Sequence, residues 1–174
     1  MTDFLAAHGY DPGPTQSPGL AGAIAGALAT VPATAALSVF GSLGVEAAIL
    51  DLSVLQTLAA GVAAMALAGG AYGRLFRRAA NDKAGGWLFG AAFGFVLWTG
   101  GAVMVLPILG DGRIPAGRAA IGLYVALVLW GATAGALFPF VHRRLRRDPD
   151  LASRSAARAV GPSAAAVDGS RRRR

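Results

Sequence analysis

GLAGAIAGALATVPATAAL, residues 19 to 37, carries no charged side chain, is rich in alanine, and sets Gly22 and Gly26 four residues apart ahead of Pro32. A soluble surface helix shows an apolar stripe and a polar remainder, and this stretch supplies no polar face. Three further intervals repeat the pattern: no charge lies between Leu52 and Gly73, between Ala84 and Gly110, or between Ala119 and Val141. The shortest of these holds 22 residues, and a helix rising 1.5 Å per residue needs about 20 to cross a hydrocarbon layer roughly 30 Å thick. An apolar content of 55% with only 14% charged residues departs from a soluble domain in the same direction. Lipid-facing β-strands would alternate polarity over shorter segments. The expected fold is therefore all-α: a polytopic membrane protein with four transmembrane helices at about 19–43, 52–73, 86–108 and 119–141, preceded by an arm at 1–18 and followed by a flexible basic tail at 148–174.

The first span reads as an uncleaved helix, because the segment before it contains Asp3 and Asp11 and none of the basic residues of a secretory signal. Arg74, Arg77, Arg78 and Lys83 follow the second span, and Arg143, Arg144, Arg146 and Arg147 follow the fourth. Basic clusters stay on the cytoplasmic side, which predicts both termini inside.

Each span also carries glycines four apart: Gly22/Gly26, Gly69/Gly73, Gly90/Gly94 and Gly131/Gly135. Residues at this spacing share a helix face, and glycine there lets two backbones approach in lipid, where hydrophobic drive is absent. GAIAG at 22–26 matches GAAFG at 90–94, and GGAYGRLF at 69–76 matches GATAGALF at 131–138. The likeness reads either as a repeated helical hairpin or as coincidence among glycine- and alanine-rich spans. Pro32 is expected to kink the first span, and ILGDGRIP at 108–115, after Pro107, reads as the end of the third and an outer loop closed by Pro115.

The search for chemistry yields little. No cysteine is present, which removes thiol and disulfide chemistry, and no histidine–acid cluster has metal-ligand spacing. Thr30, Thr34, Ser38, Gln56, Thr57, Thr99 and Thr133 are the polar side chains expected at depth; hydroxyls there bond to a preceding turn or a neighbouring helix. Glu46 and Asp51 are expected as solvated ends of an external turn, and Asp111 to pair with Arg113. His8 falls in the arm and His142 at the inner boundary. Trp87, Tyr72 and Phe76 suit headgroup-level rings, while Trp98, Tyr124 and Trp130 lie deeper. No catalytic, cofactor-binding or metal-binding residue is assigned, no cofactor is implied, and no enzymatic activity is expected.

The tail from Arg143 holds ten arginines and three aspartates, matching the whole chain's net charge of +7. Its Arg143, Arg144, Arg146 and Arg147 suit acidic lipid headgroups, each basic residue gaining about 1 kcal/mol near an anionic leaflet. Without interleaved aromatics or a basic folded domain, nucleic acid is not expected as a partner.

GLAGAIAG at 19–26, GATAGALFP at 131–139 and the arginines after it resemble small, mostly uncharacterised four-span bacterial inner-membrane proteins, over residues 19–147. That resemblance implies a multi-pass protein of the bacterial inner membrane and no particular activity; the long arginine tail departs from it. The expected role is a structural or accessory subunit that packs with another integral-membrane protein or with itself. The alternatives are a small oligomeric channel or transporter with Thr30, Thr99 or Thr133 on an internal path, and a lipid-handling enzyme using Glu46, Asp51 or His142.

Overall fold

A computed structural model describes residues 17–76, 80 and 85–145, and all regular structure among them is helical. Helix α1 (Pro18–Phe40) opens with proline, whose missing N–H would be unsatisfied in a first turn anyway. It ends at Gly41, in the left-handed region with φ +73°, whose N–H bonds back to Ser38 O at 3.1 Å. The chain then forms a helix not anticipated from the sequence, α2 (Ser42–Leu50), inside the first connection. Ser53 and Gln56 build a capping box that starts α3 (Val54–Leu75): Ser53 N–H donates to Gln56 Oε1 at 2.9 Å, and Gln56 N–H to Ser53 Oγ at 3.3 Å.

The third span is composite. Helix α4 (Gly86–Leu97) widens into a π-helical segment, Trp98–Val105, and returns to α geometry in α5 (Leu106–Leu109). The span ends at Leu109, where the sequence places it, two residues beyond Pro107. In an α-helix its ring would clash with the carbonyl four residues back; the wider register precedes it instead, with Leu106 N–H bonding Gly101 O and the α-type bond from Gly110 N–H to Leu106 O resuming beyond. Helix α6 (Gly117–Leu145) runs without interruption through Pro139. Its 29 residues span about 43 Å, so its last turns project past a hydrocarbon layer of roughly 30 Å. All four spans are long and apolar enough to cross a membrane.

Helix α1 packs along α3 and α6, and α6 also packs along α4. The four glycine pairs make two of these contacts. Gly22 and Gly26 face Gly69 and Met65 across the α1–α3 contact, while Gly90 and Gly94 face Gly131 and Leu127 across the α4–α6 contact. Gly73 lies against the Pro18 carbonyl and Gly135 against that of Gly86. The second hairpin therefore reproduces the first contact for contact, at the two offsets the sequence likeness defines. A Cβ at Gly69 would lie 2.9 Å from Gly26 Cα, and one at Gly90 3.0 Å from Gly135 Cα. Only glycine permits this backbone separation.

Both glycine contacts lie toward the end of the bundle where α1 begins and α6 finishes, here the terminal end. An aromatic cluster closes that end. Tyr72 packs its ring 5.5 Å from Phe93 and 6.2 Å from Phe138, and Phe76 lies 6.0 Å from Phe93. Tyr72 is fully buried and donates from its hydroxyl to Gly86 O at 2.9 Å. Tyr72, at the end of span two, thus turns inward, its phenol satisfied by the Gly86 carbonyl at the start of span three, while Phe76 is half-buried beside it. Trp87 is half exposed at the same end. At the opposite, loop end, Ser42 Oγ donates to Ala119 O at 2.9 Å, Arg118 to Val39 O at 2.7 Å, and Arg113 to Ala48 O at 3.2 Å. These bonds tie α2 and the two connections together.

Candidate functional site

The polar side chains expected at depth divide into engaged and unengaged groups. Thr30 Oγ1 donates to Ala27 O at 2.6 Å, Ser38 Oγ to Thr34 O at 2.8 Å, Thr57 Oγ1 to Ser53 O at 3.1 Å and Thr99 Oγ1 to Phe95 O at 3.1 Å. Each hydroxyl has one proton to give, so these donors are taken by their own helices. Gln56 serves the α3 cap. Thr99 faces outward, and Thr133 lies away from the cavity described below. Thr30, Thr99 and Thr133 therefore do not share an internal path.

His142, in the last turns of the fourth span, is buried, and its ring stacks on Phe138 at 5.8 Å with 3° between planes. Arg113 does not pair with Asp111; its guanidinium donates to the carbonyls of Gly110 and Ala48. Arg143 lies over the Phe140 ring at 5.2 Å and bonds Pro139 O at 3.3 Å. His8, Arg77, Arg78, Lys83, Arg146, Arg147 and the remainder of the tail fall outside the described residues. No group of three or more His, Cys, Asp or Glu side chains that could hold a metal occurs among the described residues.

Toward the loop end the helices diverge around a partly open cavity of about 280 Å³, near the lower edge of the range of about 300–1,000 Å³ typical of ligand sites. Every span contributes to its wall, as does α2. Trp130 forms its floor: the indole is buried and donates from Nε1 to Gly26 O at 2.8 Å, which fixes the ring where the glycine contact begins. Helix α3 and the π-helical segment, through Gly101 and Ala102, both line the cavity but do not pack along one another at this level.

The walls are almost wholly apolar. Four polar residues reach them: Thr30 and Thr57, already bonded within their helices, and Thr34 and Glu46. Neither the Thr34 hydroxyl nor the Glu46 carboxyl makes a hydrogen bond or ion pair among the described residues. Glu46 is not the solvated turn residue expected. Helix α2 turns it against the cavity, where burial raises its pKa from 4.5 to about 7, because an apolar surround penalises the charged form. Asp51, by contrast, is exposed, with φ +53°, where it ends α2.

The sequence held one signal for this site: Glu46 is the sole ionisable side chain between Pro12 and Leu50. A lone carboxyl in so long an apolar run is a functional hypothesis by default.

No protein family, curated protein or solved structure matches the chain. The chain is a polytopic all-helical membrane protein with four membrane-length spans.

Proposed function

We propose that the chain is an integral-membrane accessory subunit: a prepacked helical block that works beside another membrane protein or further copies of itself. The observation that carries this reading is the closure of the terminal half. Backbone contacts at Gly22, Gly69, Gly90 and Gly131, together with Tyr72, Phe93, Phe138 and Trp130, fill the space between helices, and the Tyr72 phenol and Trp130 indole there are taken by the Gly86 and Gly26 carbonyls. A pore needs a connected polar surface or a coordinating constriction, and neither crosses this half. Helices α3 and α4 with its continuation are the least buried spans, so most of their length is free to meet lipid or protein. The cavity favours the competing transporter reading, but it ends at Trp130.

The block sits in the inner membrane of a bacterial cell with both termini cytoplasmic. Arg74, Arg143 and Arg144 gather at the terminal end, which supports that orientation. Because the chain has no cysteine, single-cysteine variants at Ser17 and Asp51 report sidedness directly: Asp51→Cys should label from outside intact cells and Ser17→Cys should not. The reverse pattern rejects the orientation.

The subunit reading is tested by placing a photo-crosslinking residue at Leu67 or Ile108, 78% and 80% exposed, and analysing native nanodiscs by mass spectrometry. A reproducible partner crosslinked at these positions supports it. A lone closed homo-oligomer that conducts ions, or an uncrosslinked monomer at native expression, rejects it.

A further inference from the structure

Beyond packing, we infer that the loop-end cavity is a binding site for a small amphiphilic amine, with the ammonium group held by Glu46 and the apolar body directed toward Trp130. The inference stands on juxtaposition. A carboxyl without a hydrogen-bond or ion-pair partner and an unengaged Thr34 hydroxyl are the available polar groups on an otherwise apolar wall. Ligand sites are mostly apolar with a few placed polar groups that fix orientation; here those groups accept hydrogen bonds and one can carry negative charge. A carboxylate is acceptor-only and an ammonium donor-only, so an amine complements Glu46 in both charge and hydrogen bonding. The cavity is partly open, and two of the elements that line it, α3 and the π-helical segment, do not pack along one another.

Among the described residues no neighbouring charge competes for the Glu46 carboxyl. Helix α1 and the third span, 86–109, carry no ionisable group, and the one charge on α3, Arg74, sits at its terminal end. At the loop end Arg113 and Arg118 donate to backbone carbonyls, and Asp51 and Asp111 are exposed. Burial alone raises the Glu46 pKa to about 7. An ammonium ion requires the ionised carboxylate, so binding below that pH displaces a proton, and affinity rises as pH increases through about 7. It declines again only where the amine itself loses its proton, at about 10 for an alkylamine.

The test uses the full chain in phosphatidylcholine nanodiscs with 8-bromooctylamine and its neutral counterpart 8-bromooctanol, reading bromine quenching of tryptophan emission. At pH 8 the amine should bind at least about tenfold more tightly than the alcohol, a difference of roughly 1.4 kcal/mol. Glu46→Gln should erase that preference while leaving alcohol binding intact, which also shows that the variant is folded. At Gly61, which lines the cavity, an added Cβ meets nothing within 4 Å; Gly61→Leu should fill the space and weaken both probes. Equal quenching by amine and alcohol in the wild type, a preference that survives Glu46→Gln, or quenching unchanged by Gly61→Leu would each overturn the inference, as would no saturable binding of either probe.

Discussion

Replacing an interface glycine with alanine gives a sharp reading of how the two hairpins are held. At Gly22 the new methyl meets the Gly69 carbonyl, and at Gly90 that of Gly131. Both obstacles are backbone, so no side chain can rotate away and the helices must part. A Cβ at Gly69 stands 2.9 Å from Gly26 Cα, against an optimal carbon–carbon separation of about 3.5–4.0 Å. Relief therefore requires a movement of roughly 0.6–1.1 Å, which forfeits about a quarter to a half of each dispersion contact along the seam. Overpacking of this kind costs about 1–3 kcal/mol, while alanine recovers roughly 0.8–1 kcal/mol of helix propensity over glycine. The net expectation is a loss of up to about 2 kcal/mol at Gly22, Gly69, Gly90 or Gly131. Gly61 and Gly100 are internal controls, since a Cβ there meets nothing within 4 Å; alanine should leave stability unchanged or raise it by up to about 1 kcal/mol.

The assay is reversible unfolding in mixed dodecylmaltoside and dodecyl sulfate followed by far-ultraviolet circular dichroism. Gly22→Ala with Gly69→Ala should cost less than the sum of the two, because one separation of α1 from α3 accommodates both methyls. Gly22→Ala with Gly90→Ala should be additive, because the two seams share no partner. If alanine at the seams costs no more than at Gly61 and Gly100, the claim that glycine contacts hold the hairpins is refuted.

Three further outcomes are expected in the same unfolding assay. Trp130→Phe and Tyr72→Phe remove the donors to Gly26 O and Gly86 O, and each should lower the unfolding free energy by about 1 kcal/mol; a change below a few tenths would mean the bonds contribute nothing net. Gln56→Ala should cost about 1 kcal/mol through loss of the α3 capping box, with no effect on amine binding in the quenching assay. Glu46 should make stability fall with rising pH: its folded pKa lies above the ordinary value, so the folded form holds the proton more tightly. The loss begins near pH 4.5 and is complete above about pH 7; Glu46→Gln should flatten the profile, and a slope unchanged by that substitution assigns the effect elsewhere.

The parts of this fold that could be read in the sequence are those whose causes are local. Charge-free runs of membrane length announce the spans, and paired glycines announce close seams, because in lipid only small residues let backbones meet. Tyr72 and Phe76 illustrate the contrary case. Their position at a span end fits either a headgroup-level ring or a core ring, and what decides is the carbonyl of Gly86, which only the packing of α3 beside the start of span three supplies. The same holds for the third span, whose end just past Pro107 is legible while the π-helical register of Trp98–Val105 is announced by no single residue.

The cavity is the counterpart of the glycine pattern. All four glycine pairs with a partner backbone sit toward the terminal end, and there the helices close. Toward the loop end the facing positions include Leu37, Leu58, Leu97 and Leu123, side chains that hold the axes apart without filling the space between them. A bundle pinned at one end by backbone contacts and spaced at the other by leucine must open toward the second. Helix α2 lies across that opening because Ser42 and Arg113 anchor it there, and it is this short helix that turns Glu46 inward. The site thus follows from where no glycine meets a partner backbone, together with one carboxyl that the first connection carries back into the apolar interior.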